Sequence, residues 1–164
     1  MEVKEVKIKF LEYENEQELK QEEQDLLSDA LDSVEKSYAP YSEFHVGAAV
    51  LLENGVVVTG SNQENAAYPS GLCAERVALF YASSQYPEVK IKALAISAKS
   101  EHFLVNNPIT PCGSCRQVIV EAEHRQQLKI KIIMRGETGP VHVVPGIEAL
   151  LPFTFYEDKL KKKH

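Results

Sequence analysis

Val46-Gly-Ala-Ala-Val-Leu-Leu-Glu53, then Asn54-Gly55, then Val56-Val-Val-Thr-Gly60 is the stretch that settles the fold class. Two apolar runs rich in β-branched residues flank an Asn-Gly pair, which accepts the positive φ angles that a tight reversal of two strands demands. The segment reads as a β-hairpin. Toward the C-terminus the pattern alternates: a helix over 73–84, a buried strand over 91–98, a helix over 114–126 and a strand over 128–134. A turn at 135–140, a strand over 141–144 and a short helix over 146–151 complete it. A hairpin followed by alternating helices and strands predicts an α/β fold, a mixed sheet covered by helices.

Toward the N-terminus, Tyr38-Ala-Pro-Tyr-Ser42 interrupts helix, because proline lacks an amide hydrogen and disfavours helical geometry in the residue before it. Before it, 16–37 is rich in Glu, Gln and Leu. Leu19, Leu26, Leu27, Ala30, Leu31 and Val34 fall mostly on one helical face, with the charges read as a solvated outer surface. Val6, Ile8 and Phe10 alternate with Lys7 and Lys9, the period of a short strand. No internal repeat or low-complexity linker divides the chain. It reads as one domain over 1–164: an N-terminal strand and acidic helix (1–37), a core (38–155) and a tail (156–164) whose Lys159-Leu-Lys-Lys-Lys-His164 end is expected to be solvated.

Composition narrows the function. At 164 residues and 44% hydrophobic the chain can bury a substantial core. A formal charge of −6 weighs against a protein that grips polynucleotide phosphates and leaves small ligands open. No apolar run approaches the ~20 residues that span a bilayer, and Met-Glu-Val-Lys-Glu-Val-Lys7 lacks the order of a secretion signal. Three cysteines cannot all pair within one chain, so reduced thiols in the cytoplasm are the expectation.

Those cysteines carry the chemistry. Cys73, Cys112 and Cys115 all fall at predicted helix starts, where exposed amide hydrogens and the helix dipole favour an anion such as a thiolate. Cys112 and Cys115 are three apart, so one helical turn can aim both sulfurs at one point. Three thiolates suit a zinc ion whose fourth position stays available to water. Two other readings stay open on spacing alone. Cys112-Gly-Ser-Cys115 could be a redox pair, which leaves Cys73 unexplained. Alternatively the zinc could be structural, completed by His45, His102, His124 or His142, none of which has a ligand's spacing. Glu75, two residues after Cys73, tips the balance. Zinc deaminases of nucleobases join an x-Glu motif behind one ligand to a downstream Pro-Cys-x-x-Cys, and Cys73-Ala-Glu75 with Pro111-Cys-Gly-Ser-Cys115 fits that description.

Six segments, in order, widen this into a resemblance: Tyr38-Ala-Pro-Tyr-Ser42, Phe44-His-Val-Gly-Ala-Ala49, Gly60-Ser-Asn-Gln-Glu-Asn-Ala-Ala-Tyr68, Cys73-Ala-Glu-Arg76, Pro111-Cys-Gly-Ser-Cys-Arg-Gln-Val118 and Leu150-Leu-Pro-Phe-Thr-Phe155. From Tyr38 to Phe155 the chain resembles the small, three-cysteine cytidine deaminases. The resemblance implies a three-layer α/β/α sandwich around a mixed five-stranded sheet, one zinc ion per subunit at the helix N-termini, and a homotetramer with active sites completed across subunits. It implies Cys73, Cys112 and Cys115 as zinc ligands and Glu75 as proton shuttle. Asn62 and Glu64 would bond the ribose 3′-hydroxyl, Phe44 would pack on the pyrimidine, and backbone at Ala66 would read the base. Tyr68 and Phe155 would reach across a subunit boundary. Arg76 would hydrogen-bond ligand sulfurs, with Arg116 a second contributor. Each has a plainer reading: Phe44 and Phe155 as packing residues, Tyr68 as a loop aromatic, Asn62 as a turn residue, Arg76 in a surface ion pair. The implied reaction is hydrolysis of cytidine and deoxycytidine to uridine and deoxyuridine with release of ammonia, as in pyrimidine salvage. Deamination of another small aminopyrimidine, or a non-catalytic zinc-stabilised binding module, are the rival readings.

Overall fold

In a computed structural model, which describes residues 1–156 and Leu160, the sheet has six strands in the order β1-β6-β5-β4-β2-β3. Its elements are β1 (Leu11–Tyr13), α1 (Gln21–Ser33), β2 (Phe44–Leu52), β3 (Val57–Ser61), α2 (Ala74–Gln85), β4 (Ile91–Ser100), α3 (Gly113–Gln126), β5 (Lys131–Met134) and β6 (Val141–Val144). Among the named strands only β4 and β5 pair in parallel; the other strand pairs are antiparallel. The predicted hairpin is β2–β3, turned at Gly55 with φ of 83°.

Alternation along the central strands assigns the helices to two layers, because successive side chains point to opposite faces. Ala48, Val50 and Leu52 of β2, with Leu94 and Ile96 of β4, pack with Ala78 and Leu79 of α2 and Ile119 of α3. Ala49 and Leu51, with Ala93 and Ala95, meet Leu26, Leu27 and Ala30 of α1 on the other face. A fully buried Leu or Ile contributes about 1.5–3 kcal/mol, and Ile132 and Ile133 of β5 supply one to each layer. The expected α/β/α sandwich is present. Gly60 fixes how closely α2 approaches: a Cβ there would lie 2.6 Å from the Ala74 carbonyl oxygen. From the other face Ser33 of α1 donates to the Gly60 carbonyl at 3.1 Å.

Several expectations shift. The strand lies at Leu11–Tyr13, not over 6–10, and it raises the count from five to six. A strand exists only where a backbone partner does; β6 is four residues long and pairs Leu11, Glu12 and Tyr13 with Val143, His142 and Val141. Val6, Ile8 and Phe10 are exposed. The continuous helix over 16–37 is instead a 3-10 turn at Glu16–Glu18, then α1, then a second 3-10 turn at Val34–Lys36. Extended backbone at Lys20 separates the first two, and Glu23 closes α1's first turn by accepting the Lys20 amide. Glu23 is not on the solvated surface: it is buried and pairs with Lys131 of β5. The segment expected as a helix over 146–151 is a 3-10 turn at Ile147–Ala149. Of the lysine-rich tail, all but the exposed Leu160 lies outside the described residues.

Candidate metal centre and active site

The site is built where two helices start. Cys73 is the N-cap of α2 and Cys112 the N-cap of α3, and both have the extended backbone typical of that position. Cys115 sits in the first turn of α3 and is fully buried. Chain entry into α2 is fixed by Gln63, whose amide and carbonyl both pair with Leu72 at 2.9 Å. On Gln63's flanks, Tyr38 N donates to the Asn62 carbonyl at 2.9 Å and Glu64 N to the Tyr38 carbonyl at 2.8 Å. One residue therefore joins the Tyr38 loop, the 62–64 segment and the approach to Cys73. Its role is carried by backbone, which is why its side-chain chemistry gave no signal.

The sulfurs converge. Cys73 Sγ is 3.8 Å from Cys112 Sγ, Cys112 Sγ is 3.5 Å from Cys115 Sγ, and all three lie within 4.8 Å of one another. Thiolates at ~2.3 Å from a tetrahedral zinc stand about 3.8 Å apart, so the donor set fits that ion in type and spacing. The separations exceed a ~2.05 Å disulfide, and all three cysteines are free. Convergence of three sulfurs, not two, accounts for Cys73, which the redox reading could not. No histidine joins the cluster among the described residues. His45 and His142 bond instead to Glu101 and Glu12, and His102 to Glu43.

Charge is distributed unevenly over the thiols. Cys115, as donor, and then Arg76 hold the Cys73 thiol well below the ordinary thiol range, against desolvation. Cys115 is pushed far up, first by that same bond and then by burial. Arg76 Nη2 is 3.7 Å from Cys73 Sγ, while its buried Nε has no described partner. Arg116 turns elsewhere. Its Nε donates to the Pro111 carbonyl and Nη1 to the Leu150 carbonyl, both at 2.8 Å, so it braces the loop before Cys112 and touches no sulfur among its described bonds.

Glu75, on the first turn of α2, is 4% exposed and lines a cavity of about 710 Å³ that Cys73 and Cys112 also line. Burial raises its carboxyl pKa above the usual range, and the charge of Cys73 adds to the rise. Phe44, Asn62, Glu64, Tyr68 and Arg76 share that wall. Glu64 Oε2 accepts the amides of Tyr41 and Ser42 at 2.9 and 3.2 Å. Its pKa is lowered, first by the Ser42 hydroxyl. Asn62 Oδ1 accepts from Val46 N at 2.8 Å and its Nδ2 donates to the Phe44 carbonyl at 2.9 Å. Those bonds use one acceptor site and one hydrogen of an amide that has two of each.

Ala66 and Phe155 are exposed and do not line the cavity, while Tyr68 lines it at 77% exposure. Thr110, Ile109 and Leu72 line it unforeseen. Their only signal was proximity in sequence to Cys112 and Cys73.

This arrangement has known counterparts. The family model of the cytidine and deoxycytidylate deaminase zinc-binding region matches residues 20–130, which include all three cysteines and Glu75, and the chain belongs to that family. It is 44% identical over 96 residues to the cytidine deaminase of Halalkalibacterium halodurans, covering 58% of this chain and 68% of that protein. With a cytidine deaminase of Mycobacterium tuberculosis the identity is 40% over 96 residues, again 58% and 68%. The crystal structure of the cytidine deaminase from Burkholderia pseudomallei superposes with a TM-score of 0.68 at 36% identity, covering 80% of this chain and 97% of that one. Among the described residues no helix is long and apolar enough to cross a membrane.

Proposed function

We propose that the chain is a zinc-dependent hydrolase that replaces the 4-amino group of cytidine and 2′-deoxycytidine with oxygen, releasing uridine or deoxyuridine and ammonia, a step of pyrimidine salvage. The observation that carries this reading is the convergence of three thiol sulfurs at two helix N-termini, beside a buried carboxylate on one cavity wall.

Cys73, Cys112 and Cys115 would hold the zinc, which when bound supplies hydroxide at neutral pH by drawing the pKa of a coordinated water toward ~7. Glu75 accepts a proton from the attacking water and delivers it to N3 of the base as the C4–O bond forms. The same carboxylate then carries the remaining hydroxyl proton to the amino nitrogen; the C4–N bond breaks, ammonia leaves and the C4 carbonyl remains. One carboxylate serves both transfers because it can hold a proton between them. Arg76 offsets part of the charge of the thiolates through Cys73, and its guanidinium cannot give up its proton to do so.

Asn62 and Glu64 hold the sugar by its 3′-hydroxyl, which both ribose and 2′-deoxyribose carry, and Phe44 packs on the base. Tyr68 and Phe155, both exposed, would reach across a subunit boundary, and backbone at Ala66 would read the base. A homotetramer is supported by large apolar side chains left open on the described chain, among them Phe80, Tyr81 and Phe153. The chain would work as one deaminase domain, in the cytoplasm, where its thiols stay reduced.

Comparing cytidine, 2′-deoxycytidine and free cytosine as substrates, by absorbance change and ammonia release, tests the assignment. Both nucleosides should turn over and the free base poorly. A preference for cytosine would remove the sugar-binding role of Asn62 and Glu64, and no turnover of any of the three would overturn the reading.

A further inference from the structure

Two tripeptides face each other, and one of them contains Phe44 of the cavity wall. Glu43-Phe44-His45 spans the start of β2, and Glu101-His102-Phe103 follows β4, the strand paired with it. Each residue of one meets one of the other. The Glu43 carboxylate lies 2.8 Å from His102 Nε2, and His45 Nε2 lies 3.1 Å from Glu101 Oε1. The rings of Phe44 and Phe103 have centroids 6.3 Å apart at 32°. His45 Nδ1 is also 2.6 Å from Ser37 Oγ, and Glu101 N donates to the Glu43 carbonyl at 3.2 Å. Glu43 has φ of 52°, a left-handed conformation that a Cβ disfavours, so its surroundings must hold it. The second tripeptide is mounted at both ends: β4 precedes it, and the carbonyl of buried Val105 accepts the amides of Glu137 at 2.7 Å and Thr138 at 3.2 Å.

These contacts are unequal. Glu43 and His102 are 43% and 62% exposed, and an exposed ion pair contributes little. Phe103 is itself 59% exposed, but the aromatic pair is the stronger element, since a ring–ring contact adds to what burial gives and is not screened by solvent as a charge pair is. Phe103 does not line the cavity, whereas Phe44 does.

Resting on the reading of Phe44 as the side chain that packs on the pyrimidine, we propose that Phe103 is a positioning residue: it sets the orientation in which the Phe44 ring meets the base. A group that holds the base equally before and during reaction affects KM and leaves kcat alone. Steady-state cytidine kinetics on the full zinc-loaded chain test this. Phe103→Ala should raise KM about 3- to 10-fold, with kcat and zinc content unchanged and Tm lowered by no more than about 6 °C, and Phe103→Tyr should restore the wild-type KM. In a Phe44→Ala background, Phe103→Ala should change nothing further. A wild-type KM in Phe103→Ala, or an undiminished effect in the Phe44→Ala background, overturns the role while leaving the functional reading intact. A wild-type chain inactive on cytidine defeats the functional reading and the role together.

Discussion

Gly60→Ala perturbs the joint between sheet and metal centre without touching a ligand. The added Cβ would lie 2.6 Å from both the Ala74 carbonyl oxygen and the Ala78 amide nitrogen, and 3.1 Å from Ala78 Cα. These are backbone atoms of α2, so no side-chain rotation relieves the contact. Restoring an ordinary separation of 3.4 Å lifts α2 off β3 by about 1 Å. Overpacking of this kind costs about 1–3 kcal/mol, roughly 3–10 °C in Tm for a chain of this length. Cys73 and Glu75 ride on the helix that moves, while Cys112 and Cys115 stay with α3. The thiol triangle therefore opens, and a misplacement of ~1 Å at a reacting group costs on the order of 100-fold in rate. Melting curves, zinc competition against a chromophoric chelator and cytidine kinetics would be read together. The expected variant melts lower, binds zinc at least ~10-fold more weakly and loses about 100-fold in kcat/KM. Wild-type zinc affinity and rate would refute the argument that this contact sets the position of α2.

Glu75→Gln keeps shape and burial but cannot carry protons, so zinc should be retained while kcat falls by ~10³-fold or more; metal analysis with single-turnover kinetics checks this, and near-normal kcat contradicts it. Arg76→Ala removes the guanidinium 3.7 Å from Cys73 and should weaken zinc binding about 10-fold or slow turnover, with unchanged affinity and unchanged rate together counting against the role. Glu123→Gln addresses a half-buried carboxyl whose pKa is raised, chiefly by desolvation, above its ordinary 4.5. The folded chain binds that proton more tightly than the unfolded one, so stability falls as pH rises from 4.5 through the raised value. Oε1 accepts the amides of Ile130 and Ile147 at 2.9 and 3.0 Å, and an amide oxygen can accept both. The variant should match wild type in acid and be the more stable at neutral pH by denaturant melts; lower stability at neutral pH would contradict this.

What could be read from the sequence was whatever is written locally. Asn54-Gly55 marks the strand reversal, although only Gly55 takes a positive φ, and Cys73, Glu75, Cys112 and Cys115 state their chemistry by type and spacing; the structure brings them to one place. What depends on a distant partner was not written. The alternation of Val6, Ile8 and Phe10 is as strand-like as any in the chain, but pairing is decided by β6, which meets Leu11–Tyr13. Glu23 looked like one more surface acid until Lys131, 108 positions away, buried it in an ion pair. Arg116 directly follows Cys115, yet its guanidinium is taken by the carbonyls of Pro111 and Leu150. Ala66 and Phe155 lie off the cavity of this single chain. The implied role of Phe155 needs a second subunit, which a sequence describes only through relatives.

The central claim is that the three thiols hold a zinc ion without which Glu75 has no water to deprotonate. Its most direct test is ammonia release from cytidine by the purified chain, followed in parallel with zinc content during chelation and on adding zinc back. Activity should fall in proportion to the zinc removed and return as it is restored. Undiminished release from the stripped chain, or none from the fully loaded one, would contradict the account.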